Sequence, residues 1–147
     1  MNDRFASTVI LVTAASWAGF AIWLWTHPNA LLPAFGVQQS TPAMVTEVRA
    51  FYGGVEAAIA VAMLVLWKRD ERSAALIVGG LPLLGSALGR LSGLFLDGYS
   101  SLHLSFAGLE VLGFIFCLAA MMSVSATHSS TDRISDQRSD SSPSADS

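Results

Sequence analysis

Three charged residues, Glu56, Arg90 and Glu110, stand inside stretches that are otherwise apolar. A carboxyl held away from water can carry a proton, act as a general acid or base, or bind a cation, and a guanidinium can pair with it or stabilise developing negative charge. In an α-helix, Arg49 and Tyr52 share a face with Glu56, because spacings of three, four and seven return to one side. Glu56 lies seven residues beyond Arg49, about 10 Å along a helix. Glu110 lies eight residues beyond Leu102, about 12 Å. The two carboxyls therefore sit at matched depth, and the long side chain of Arg90 can reach either. Two carboxylates against one guanidinium leave an excess negative charge, to be completed by Arg49, a proton or a cationic ligand. Arg49, Tyr52, Glu56, Arg90 and Glu110 form the candidate buried polar or ligand-binding cluster.

The elements that must position these groups are membrane spans. The 147 residues are 52% hydrophobic and 13% charged, far from an ordinary soluble composition. A hydrocarbon core of about 30 Å needs roughly 20 apolar residues in a helix. Four stretches qualify, Phe5 to Trp25, Val48 to Trp67, Ala74 to Leu96 and Leu102 to Met122. The first is too long for a signal peptide core and ends in Trp23 and Trp25, residues suited to a membrane interface. Lys68, Arg69 and Arg72 crowd the link between the second and third spans, whereas 26–46 and 97–101 contain no Lys or Arg. With Arg4, Arg133 and Arg138 on the same side, the positive-inside rule predicts both termini in the cytoplasm.

The expected fold is thus an all-α, integral membrane four-helix bundle over residues 1–122, with a short interfacial segment between its first two helices. Thr41 followed by Pro42 has the form of a helix start. From 123 to 147 Ser, Asp, Thr and Gln replace the apolar residues, which predicts a disordered cytoplasmic tail. Gly85, Gly89 and Gly93 on the third span form a small-residue ridge, and Gly53 and Gly54 begin a second on the second span. Their expected use is direct contact between these two helices, with a homo-oligomer face as the alternative. Pro82 should bend the third span.

Several functions find no support. A net charge of -3 without a basic patch offers no footprint for nucleic acid. A single cysteine, Cys117, allows neither an intramolecular disulfide nor a redox pair. His27, His103 and His128 are too far apart for a metal set on one helix, so neither metal nor cofactor is expected. Nucleophile elbows, phosphate loops and dinucleotide fingerprints are missing. The reading placed first is a structural ion-pair network that fixes helix register. The second is an outward-facing binding or transport site for a proton, a cation or a small polar ligand, with Tyr52, His103 and Ser105 adding hydrogen-bond groups. The third, a membrane-embedded enzyme using a carboxyl acid or base, has the least support.

The run Glu47-Val48-Arg49-Ala50-Phe51-Tyr52-Gly53-Gly54, with Glu56, Gly89-Arg90 and Glu110 after it, resembles the bacterial family of small membrane proteins catalogued as domain of unknown function 4345. The resemblance runs from the first span to Met122 and leaves out the tail. It implies a four-helix protein of the bacterial cytoplasmic membrane without an assigned activity. A more distant similarity to DoxX-like membrane proteins lacks the cysteine pairs of their redox members.

Overall fold

The computed structural model describes residues 2–140, and they are helical throughout apart from short turns. Helix α1 is Asn2–Thr26, followed by a 3-10 segment at Pro28–Phe35. The second span is composite: α2 (Pro42–Glu47), a π-helical segment (Val48–Val55) and α3 (Glu56–Lys68). Helices α4 (Arg72–Leu96) and α5 (Ser101–Asp140) complete the chain. Four stretches, Asp3–Thr26, Pro42–Lys68, Arg72–Leu96 and Ser101–Val124, are long and apolar enough to cross a membrane. The protein is a multi-pass membrane protein. The disorder expected from 123 onward falls partly on backbone that runs on as helix to Asp140. The rest of that expectation, at 141–147, lies outside the described residues.

Local signals set the ends of these elements. Thr41 caps α2, its hydroxyl accepting the Met44 amide at 3.3 Å, and Pro42 takes the first helical position, where no donor is needed. Gly36 closes the 3-10 segment at φ 72°, a left-handed conformation that glycine adopts without steric cost. The tight α3–α4 turn passes through Asp70 at φ 62°. There Arg72 pairs with Asp70 at 2.9 Å and with Asp3 of α1 at 2.6 Å, tying three helix ends together. This end, with the Lys68–Arg72 turn, is called the lower end below. The end with the 3-10 segment and the α4–α5 turn is the upper end.

The interior consists of a lower apolar cluster, centred on Ile10, Met63, Leu76 and Cys117, and a small upper one of Leu24, Leu32 and Val48. Around them Val12, Ile22, Val61, Leu88 and Leu109 point outward, the apolar exterior that lipid requires. Hydroxyls within the spans close back onto their own helices, as Thr8 does to the Arg4 carbonyl and Ser16 to that of Val12.

Helix α4 packs most extensively on α5, and α1 on α3. The packing side of α4 is the stripe Ala75, Leu76, Gly79, Gly80 and Ala87. Gly79 meets Met63 and Thr13 and accepts a hydrogen bond from the Trp17 indole at 3.3 Å, while Gly80 abuts Cys117. The ridge expected from Gly85, Gly89 and Gly93 is on the other side. Gly85 and Gly89 face outward with open space where a side chain would be, and Gly93 meets only Asp97. Two stripes of small residues run along this helix, and the α5 contact takes the one that carries Ala87. Gly53 is tightly packed against the Trp25 ring, whereas Gly54 is not.

These packings give opposite expectations for added methyl groups. Gly53→Ala should lower thermal stability in detergent by roughly 1–3 kcal/mol, the usual cost of overpacking. Gly85→Ala should leave it unchanged or raise it, alanine being the better helix former by about 1 kcal/mol. Equal losses in both variants would show that the outward stripe is also packed.

Candidate functional site

Arg90 reaches from the upper half of α4 onto one face of α5. Its Nε donates to both carboxylate oxygens of Glu110, at 3.0 and 3.1 Å. One terminal nitrogen lies 3.4 Å from His103 Nδ1, and the guanidinium carbon stands 5.1 Å from the centre of the Phe106 ring. His103, Phe106 and Glu110 follow one another at spacings of three and four, so a single stripe of α5 supplies all three contacts. Ser100 starts that helix, its hydroxyl accepting from the His103 amide at 3.5 Å. The pair is largely withdrawn from the surface, with side chains 27% exposed for Arg90 and 14% for Glu110. It is a charge-assisted clasp of α4 onto α5, in surroundings where neither partner has water as a substitute.

Glu56 stands apart from this clasp. Among the described residues it is the one buried charged side chain, 8% exposed, and it lies within electrostatic reach of Arg90. Its Oε2 is closed off from a water-sized probe and has no hydrogen-bond partner. Among the described residues, the other buried polar side-chain atom in this condition is Nε of Arg72, whose terminal nitrogens are both in ion pairs at the lower end.

Arg49 and Tyr52 are not brought to Glu56. Both are exposed. Arg49 turns instead to the top of α1, where its Nε donates to the Trp25 carbonyl at 3.4 Å and its own carbonyl accepts the Trp25 indole N–H at 3.0 Å. The π segment is the reason. Its i→i+5 hydrogen bonds add a residue to each turn, so seven residues no longer complete two turns as they do at about 3.6 per turn. The five candidate residues therefore divide into a pair, Arg90 with Glu110, a buried neighbour, Glu56, and two outward-facing side chains.

His103 and Phe106 complete the clasp, and sequence reasoning gave them little or no part in it. The available signal was their spacing from Glu110 on a helix whose partner carries an arginine. Ser105, by contrast, bonds back to the Ser101 carbonyl and contributes nothing here. No group of three or more His, Cys, Asp or Glu with the geometry of a metal site occurs among the described residues.

The chain matches a family described as a domain of unknown function, over residues 5–121. That range covers nearly all of the four spans and stops short of the polar tail. No curated protein and no solved structure matches the chain.

The asymmetry of the site predicts an asymmetry between variants. Arg90→Gln leaves the largely buried Glu110 carboxylate without its cation and should destabilise the protein by roughly 3–5 kcal/mol, as breaking a buried pair does. Glu110→Gln should cost less, since an amide oxygen still accepts from Arg90 and Glu56 remains nearby. Thermal unfolding of the purified variants in detergent measures the difference, and a larger loss for Glu110→Gln would contradict this division of roles.

Proposed function

We propose that this chain, which belongs to the family described as domain of unknown function 4345, is a proton-binding protein of the bacterial cytoplasmic membrane in which Glu56 takes up and releases the proton. The observation that carries this reading is the unpartnered Oε2 of Glu56, within electrostatic reach of a guanidinium already engaged by Glu110. A buried carboxylate without a partner costs several kcal/mol, so the group is accommodated as the neutral acid or with an added cation. Oε2 is closed off from a water-sized probe, and a proton is the ligand that a lone enclosed oxygen can hold.

The Arg90–Glu110–His103 group has the structural role of holding α4 to α5 and keeping a fixed positive charge near Glu56. The ion-pair reading thus describes the clasp, and proton binding describes what the clasp leaves over. The basic turn at Lys68–Arg72 supports an orientation with the lower end and both termini in the cytoplasm, with Glu56 near the middle of its span.

A hydrophobic carbodiimide, which attacks protonated carboxyls in apolar surroundings, tests the assignment. Mass spectrometry of the treated full-length protein should find the adduct on Glu56 and not on Glu110, and Glu56→Gln should abolish it. An adduct on Glu110 alone, or none on Glu56, would overturn the proposal. Reporter fusions at Gln39 and Asp70 test the orientation, and cytoplasmic activity at Gln39 would reverse it.

A further inference from the structure

The π segment between Arg49 and Glu56 has little intrinsic claim on its own geometry. Helices with i→i+5 bonds are rare and occur mostly as short insertions at functional sites, yet here the π geometry spans Val48–Val55 and ends where Glu56 begins. Trp25 supplies three contacts that hold it. Its indole donates to the Arg49 carbonyl, its carbonyl accepts from Arg49 Nε, and its ring occupies the space that a side chain at position 53 would need.

The same residues wound as an α-helix would place Arg49 and Glu56 two turns apart on one face, about 10 Å. An arginine lying along the helix and a glutamate reaching back can close that span. One stretch of sequence thus offers two pairings. In the first Arg49 is held by Trp25 and Glu56 has no cation of its own. In the second Arg49 is the cation that an ionised Glu56 lacks.

We propose that segment 48–55 is a register switch governed by the charge on Glu56. With Glu56 neutral the segment keeps its π form. When the proton passes to bulk water, the segment rewinds as α-helix and Arg49 turns inward to pair with the carboxylate, while the Trp25 contacts are released. The differential interaction that such a shift requires is the attraction between Arg49 and the ionised carboxylate, available in the α form alone. This inference rests on Glu56 being the proton-binding group.

The other charged groups around Glu56 leave that role to Arg49. Arg90 of α4 is committed to Glu110 and His103 of α5. Helix α1 carries no ionisable side chain from Phe5 to Thr26. On the second span itself, Glu47 has the wrong sign and the Tyr52 phenol offers no cation. Asp97 and His27 lie in the turns at the upper end. Among the described residues Arg49 is in no ion pair.

The test uses the full chain in nanodiscs with 5-fluorotryptophan, the Trp25 resonance being assigned with Trp25→Phe. A His27→Gln background removes the imidazole bonded to the neighbouring Thr26. Raising the pH should move the Trp25 resonance to a second position while those of Trp17 and Trp67 stay in place. Glu56→Gln and Arg49→Gln should each hold it at the first position across the whole range. The same movement in either variant would overturn the switch. A resonance that never moves, in protein whose Glu56 still takes the carbodiimide, would overturn the switch and leave proton binding standing. Failure to label Glu56 would instead strike at proton binding itself.

Discussion

A guanidinium inside a bilayer must be matched by protein, because no water is present to complete the bonds that protein leaves unmade. In this chain Arg90 is matched by one stripe of α5, through a carboxylate, an imidazole and an aromatic face. That arrangement sets the side of α4 that packs. With Arg90 directed at α5, the stripe carrying Ala87, Gly80 and Leu76 turns inward, and Gly85 and Gly89 turn out. It also sets the charge balance. One cation has been engaged by one anion, and Glu56 is left with only the field of an arginine that bonds elsewhere.

The two ends of the bundle are held by different physics. The lower end is a dense contact in which Met63 fills the space over Gly79, Trp17 donates to the Gly79 carbonyl, and Arg72 links α1 to the α3–α4 turn. The upper end has a small apolar cluster and depends on Trp25 for its register. A π segment in the upper half, ending at a buried carboxyl, puts an unusual winding and an unpartnered carboxyl oxygen in the same place. Rigid packing below and a second available winding above are what a site needs if a change in charge is to move one part of a membrane protein and leave the rest in place.

Much of the fold was legible in the sequence. Hydropathy marked all four spans, Thr41-Pro42 marked the start of α2, and the proline-rich connection marked the short segment between the first two spans. These signals are local. A helix in lipid satisfies its own backbone, so its existence follows from composition over some twenty residues. Part of the site was legible for the same reason, since an ionised group is conspicuous in an apolar run wherever its partner lies.

The sequence by itself therefore determined how many helices cross the membrane and which residues carry charge into it. Which charges meet was decided by tertiary structure alone. Matched depth and helical phase allowed Arg90 to pair with either carboxyl and allowed Arg49 to join them. The packing of α4 on α5 selected Glu110, and Trp25 on Gly53 accompanies the π winding that turns Arg49 away. Helical phase can be read from spacing only while the winding stays constant, and the winding of 48–55 depends on contacts from another helix.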